Sequence, residues 1–212
     1  MILYIVRHGE TDWNTVHRLQ GHTDIPLNDF GRHLAEETAA GLADTPIDLA
    51  YTSPLKRAEE TARIILKGRD VPLYEEERLC EIGFGTYEGV CRDTEDAGGE
   101  SPVFRLFFRD TGNYVPPEGG ESVQELYRRT GDFLEELLGR EELREKHILI
   151  STHGAAMTAL LNRIRGSLSV SGFWAHKVPP NCSVTTVRAE GGKLAIVEEG
   201  KVYYKEKVKG LV

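Results

Sequence analysis

The chain has 212 residues, 40% of them hydrophobic, and 34 acids against 26 lysines and arginines leave a formal charge of −8. That length supports a full buried core and predicts one domain, with two small ones as the alternative. The acidic balance excludes a broad basic face, so nucleic acid and anionic membrane are not expected partners and any anion must meet a local cluster. Cys80, Cys91 and Cys182 are odd in number with no close pair, which gives neither a disulfide framework nor a zinc pattern and points to a reducing, cytoplasmic setting.

Ile2 to Val6 is a continuous β-favouring run, too short before Arg7 for a signal peptide or membrane span, and reads as a buried strand. Leu49-Ala50-Tyr51 and His147 to Ser151 repeat the pattern, each followed by helical periodicity, so the class is α/β with a mostly parallel sheet. The full architecture expected is three-layered, α/β/α, with an antiparallel edge strand. Ser53-Pro54 marks a helix start as N-cap and first-turn proline. From Thr86 to Gly120 the periodicity breaks down, with glycine pairs at 98–99 and 119–120 and Pro116-Pro117, so this stretch reads as an excursion able to serve as a lid. Ser122 and Glu125 fit a capping box ahead of one apolar stripe: Val123, Leu126, Tyr127, Thr130, Leu134, Leu137 and Leu138. Ser183 to Arg188 and Lys193 to Glu198, flanking Glu190-Gly191-Gly192, read as a hairpin. The tail carries Lys201, Lys205, Lys207 and Lys209.

Arg7-His8-Gly9 follows the first strand directly, and His153-Gly154 follows another, at the carboxyl ends where an α/β sheet opens its ligand crevice. Arg57 falls in the first turn of the helix begun by Ser53-Pro54. Three strand ends therefore deliver cationic or potentially cationic groups to one edge, where guanidinium forks and helix-start N–H groups suit phosphate, and where Gly9 and Gly154 permit close backbone approach. A lone strand-end histidine is usually structural, and Arg57 taken alone could be a solvated helical arginine. Two strand-end His-Gly pairs, one preceded by arginine, are harder to explain as packing.

The segment Val6-Arg7-His8-Gly9-Glu10-Thr11-Asp12-Trp13-Asn14 resembles the signature of the histidine phosphatase, or phosphoglycerate mutase-like, superfamily. Further blocks resemble it in order: Arg18 to Asn28 with Gly31, Thr52 to Ala58 with Thr61-Ala62, Glu81 to Gly85 with Glu88-Gly89, Gly119 to Ser122, and Ser151 to Gly154. The resemblance implies that His8 attacks phosphorus, that Arg7, Arg57 and His153 hold the equatorial oxygens, His153 best if protonated, and that Glu81 exchanges the proton of the leaving oxygen. It assigns substrate contact to Asn14, Gln20, Gly21 and Gly154.

Ile82-Gly83-Phe84 after Glu81 follows the phosphatase branch, where mutases of the superfamily typically carry an arginine and an aromatic pair. The Thr86 to Gly120 stretch holds seven acids (Glu88, Asp93, Glu95, Asp96, Glu100, Asp110, Glu118) against Arg92, Arg105 and Arg109, a poor match to a mutase that must retain a doubly phosphorylated intermediate. A phosphomonoester hydrolase acting on a small metabolite is therefore expected, with no cofactor and no metal. A cofactor-dependent phosphoglycerate mutase, with the tail lysines covering the site, and a silent phosphate-binding module are the alternatives. Monomer and homodimer stay open. Phe104, Phe107, Phe108 and Tyr114 read as core of the excursion before substrate contact. Cys182 to Arg188 formally fits Cys-x5-Arg, but Ser183 to Val187 has no glycine and reads as strand, not as an anion-binding loop. His17 and His22 are expected at the solvent or the cleft rim.

Overall fold

The computed structural model describes residues 1–94 and 99–205. In chain order the elements are β1 (Ile2–Arg7), α1 (Asp12–Thr15), α2 (Asp29–Gly41), β2 (Leu49–Thr52), α3 (Lys56–Ile65), β3 (Leu73–Glu75), β4 (Asp93–Thr94), β5 (Gly99–Glu100), α4 (Pro102–Arg109), α5 (Val123–Gly139), β6 (His147–Thr152), α6 (Gly154–Ile164), β7 (Val184–Glu190) and β8 (Lys193–Lys201). Six strands form one sheet in the order β3-β2-β6-β1-β7-β8, and β4 and β5 form a separate two-stranded ribbon. β1, β2, β3 and β6 run parallel, with Ile5 opposite Ile150 and Tyr51 opposite Ile150 on the other side.

β1, β2 and β6 are buried almost throughout because both faces are covered, which is why their sequences read as unbroken apolar runs rather than as alternation. One face carries Leu3, Ile5, Ile148 and Ile150 against Phe133, Leu134, Leu137 and Leu160; the other carries Tyr4, Val6, Ala50 and Leu149 against Leu42 and Ile65. The fold is thus α/β with a mostly parallel sheet. β7 runs antiparallel to β1, and β8, turned back through Gly191-Gly192, pairs antiparallel with β7 as the edge strand. No helix among the described residues is long and apolar enough to cross a membrane.

The Ser122–Glu125 capping box closes both ways and α5 buries its stripe on Val123, Leu126, Tyr127, Thr130, Leu134 and Leu137. One expectation is corrected: α3 begins at Lys56 behind Leu55, which makes no side-chain cap, and Ser53 lies two residues further back, its Oγ accepting from Leu55 N and from His153 Nε2. The described part of the 86–120 stretch stays out of the six-stranded sheet, and within it Pro102 opens the regular helix α4, which buries Val103, Phe104 and Phe107 against Phe84, Phe173 and Tyr127. Glu95, Asp96, Lys207 and Lys209 lie outside the described residues. The described end of the chain does not cover the crevice: Lys201 pairs with Glu198, and Tyr204 Oη donates to Asn181 O at 2.6 Å behind the β1 turn.

Candidate active site

β1 ends in Arg7 and the chain then turns through His8-Gly9 with His8 N donating to Thr152 O at 2.9 Å, so the β1 and β6 ends are stitched together at the turn. Gly9 is required there because a Cβ would stand 2.5 Å from Gly31 O. His8 is 3% exposed. Burial first, then Arg57 and Arg7, hold its pKa well below the ordinary histidine value, so the ring is neutral at neutral pH. Its Nδ1 lies 2.6 Å from Gly9 O, which only accepts, so the single ring proton sits on Nδ1 and Nε2 keeps its lone pair.

Around His8, one cavity is lined by Arg7, Asn14, Arg18, Leu19, Gln20, Gly21, Arg57, Glu81, Phe84, Phe107, Phe108, Gly154, Ala155, Trp174 and Val178. Arg7 Nη1 donates to Pro179 O at 2.5 Å, but Arg7 Nε is buried with no protein partner. Asn14 Oδ1 accepts from Thr11 N and Thr11 Oγ, which fixes its amide so that Nδ2, also buried and without a partner, is the free end. Gln20 Oε1 is a third such atom. Arg57, fully buried, donates from Nη1 to Thr23 O at 2.9 Å, from Nη2 to Gly21 O at 2.7 Å and from Nε to His153 Nδ1 at 3.1 Å. Three of its five N–H groups are thereby used and two remain for the cavity. Burial pushes its pKa down to about 10, which leaves it cationic at neutral pH.

Glu81 occupies the start of α6, where its carboxylate accepts from Ala155 N and Ala156 N at 3.1 Å and from Ile82 N at 2.9 Å. The helix-start N–H groups expected to serve a ligand are taken by this acid. Its backbone is held in turn: Arg129 Nη2 and His22 Nε2 both reach Glu81 O at 2.9 Å, and Arg129 pairs with Glu121. His22 therefore sits at the rim, as its sequence position suggested.

Eight of the nine residues expected at the site line this one cavity, and His153 does not. It is fully buried behind Arg57, with its ring 5.1 Å from that of His8. Because Nδ1 accepts from Arg57, the proton is on Nε2, which donates to Ser53 Oγ at 2.8 Å. Burial, then Arg57 and His8, hold its pKa well below the ordinary value, so it is not a cation here. Gly21 offers no free carbonyl, since Arg57 takes it. Gly154 meets no close backbone; a Cβ there would stand near Glu81 Oε2 and Arg7 Nε, in the cavity itself. Arg129 and Asn181 are contributors the sequence did not single out; Ser53 was read there only as a helix cap within a resembling block, and Glu121 belonged to another of those blocks. A second opening of about 740 Å³ lies at the opposite end of β1 and β6, between Met1, His147, Arg188 and Leu194, away from His8. Among the described residues no three His, Cys, Asp or Glu are grouped to hold a metal ion.

The model of the histidine phosphatase superfamily, branch 1, matches residues 3–201. The chain belongs to that superfamily. It is 38% identical over 162 residues, 76% of each chain, to the uncharacterized phosphatase PhoE of Bacillus subtilis, and 34% identical over 163 residues, 76% of this chain and 75% of the other, to a 2,3-bisphosphoglycerate-dependent phosphoglycerate mutase of Cytophaga hutchinsonii. The solved structure of Bacillus stearothermophilus YhfR superposes with a TM-score of 0.83 at 33% identity, covering 95% of this chain and 97% of that one. Superfamily membership makes phosphate esters the ligands to consider for this cavity.

The two neutral histidines of this superfamily member have a consequence for stability. Their folded pKa values lie below the unfolded value near 6.5, so the unfolded chain binds protons first as the pH falls. Stability present above about pH 6.5 is expected to drop below it, by up to about 1.4 kcal/mol per pH unit for each histidine. Thermal melts from pH 8 to 5 check this, and His153→Gln is expected to flatten the slope.

Proposed function

We propose that the chain hydrolyses phosphomonoesters of small metabolites, without a metal ion, by passing the phosphoryl group to His8 Nε2 and then to water. The observation that carries this reading is the convergence on one cavity of a neutral imidazole lone pair and of buried donors, Arg7 Nε and Asn14 Nδ2, that nothing among the described residues satisfies. A buried unpaired donor costs about 1–3 kcal/mol, a cost that a phosphoryl group with three acceptor oxygens removes. Nε2 attacks phosphorus as the P–O ester bond breaks, and the Glu81 carboxylate, having received a proton from the bound ester monoanion, passes it to the departing oxygen. Water then attacks the phosphohistidine, the N–P bond breaks, and Glu81 takes the proton back. Arg7, Arg57 and Asn14 offset the charge that spreads over the equatorial oxygens. His153 acts one step removed, by fixing the Arg57 fork.

The mutase relatives support a second reading, in which the phosphoryl group returns to the substrate. Such a cycle must hold a second phosphoryl group while the intermediate reorients. Of the residues lining the cavity, Arg18 is the one cation besides Arg7 and Arg57, and its Nη1 is turned to Gly89 O at 2.8 Å. Much of the remaining wall is apolar, with Leu19, Phe84, Phe107, Phe108, Trp174 and Val178. That wall favours hydrolysis of an ester with an apolar face. It also gives Phe107 and Phe108 both roles weighed for them, helix packing and cavity lining.

Glu81→Gln separates acid from bystander. The variant is expected to keep hydrolysing an aryl phosphate with a good leaving group to within about tenfold of wild type and to slow on alkyl phosphates by about 10² to 10⁴. Steady-state kcat/KM on both ester types is the measurement, and equal losses would remove Glu81 from the acid role.

A further inference from the structure

Asn181 is 3% exposed in the irregular segment ahead of β7. Its Nδ2 donates to His8 O at 3.0 Å and Gly9 O at 3.1 Å and stands 3.4 Å from Asn14 Oδ1. Three acceptor oxygens facing one end of a carboxamide fix that end as the NH₂ group. Two N–H bonds thus span the whole turn that carries the nucleophile. Gly9 O is the same oxygen that receives His8 Nδ1–H, and Asn14 Oδ1 is the oxygen whose engagement leaves Asn14 Nδ2 to the cavity. The segment is anchored on both sides: Cys182 N donates to Arg7 O at 3.0 Å, and Tyr204 Oη donates to Asn181 O.

We propose that Asn181 is a positioning residue that settles two binary choices together: which ring nitrogen of His8 carries the proton, and which end of the Asn14 amide faces the phosphoryl group. Gly9 O held by Asn181 stays aimed at Nδ1; released, its peptide can rotate, and the tautomer with the proton on Nε2, which has no lone pair there, becomes accessible. Asn14 faces the cavity with its donor because Thr11 supplies two donors to its oxygen and the Asn181 NH₂ group, 3.4 Å away, would oppose a second NH₂ group placed there by a flip. A flipped amide would direct an acceptor at an anion. The proposal rests on His8 as the nucleophile.

The test uses histidine labelled with ¹⁵N in wild type, Asn181→Ala and Asn181→Ser, with kinetics on an aryl phosphate and thermal melts to verify folding. The serine variant, which keeps one short donor, serves if the alanine variant does not fold. In wild type His8 is expected to show a protonated Nδ1 and an unprotonated Nε2. In the variants the two tautomers are expected to mix, and kcat/KM to fall about 10- to 100-fold. The double variant with Asn14→Ala is expected to lose at least about fivefold less than the product of the single losses. An unchanged His8 tautomer together with multiplicative losses would overturn the proposal. Failure of wild type to form any phosphohistidine would instead sink the nucleophile reading beneath it.

Discussion

His8→Ala is expected to lower kcat/KM on an aryl phosphate by about 10⁴-fold or more while leaving the fold and the binding of inorganic phosphate close to wild type. The size follows from what is removed: the one neutral imidazole in the cavity with a free lone pair, on which the two-step route depends. The small effect on folding follows from its surroundings. Among the described residues His8 Nε2 has no hydrogen-bond partner, and Gly9 O, the partner of Nδ1, keeps Asn181 Nδ2 as a donor after the substitution. The desolvation that depresses the His8 pKa also disappears, so the variant is expected to melt no lower than wild type at pH 5.5. Kinetics beside phosphate titration give the readout. A variant that keeps activity to within tenfold would place the chemistry elsewhere.

Arg57→Ala is expected to damage both rate and stability. Its guanidinium is fully buried and ties the 21–23 loop to His153. Truncation strands the Gly21 carbonyl and the His153 Nδ1 acceptor and takes from the Thr23 carbonyl one of its two donors, the other being Ile25 N, at a cost of about 2–4 kcal/mol. It also removes two N–H groups that the cavity offers to the transition state, for which a loss of about 10³-fold in kcat/KM is expected. Arg57→Lys is not expected to rescue, because one ammonium cannot reach three partners in the plane of a guanidinium fork. Melting midpoints and kcat/KM measure the two effects. Recovery by lysine to within tenfold of wild type would reduce Arg57 to a point charge.

The sequence was most legible where the signal is local and repeated. β1 and β6 announce themselves as unbroken apolar runs, and α5 by a capping box and a stripe sustained over 17 residues. α4 did not, because eight residues rich in apolar side chains are too short to display a period. The α3 start was misplaced because Ser53, a good cap by composition, sits two residues before the N-cap position, where its Oγ serves Leu55 N and a histidine one hundred positions away. In the site, Arg7, His8 and Arg57 were legible as strand-end and first-turn residues. Glu81 came forward only through family resemblance, since nothing local distinguishes it from other acids. The neutrality of His153 and the clamp made by Asn181 depend on partners 96 and 173 residues distant, and no local pattern carries such contacts.

The most direct test of the account is rapid acid-free quenching of wild type mixed with a ³²P-labelled aryl phosphate. The expected result is protein-bound phosphate that is acid-labile and base-stable, approaches one equivalent per chain, maps to the peptide containing His8 and is absent from His8→Ala. Steady turnover with no bound phosphate at any quench time, or label on another residue, would contradict it.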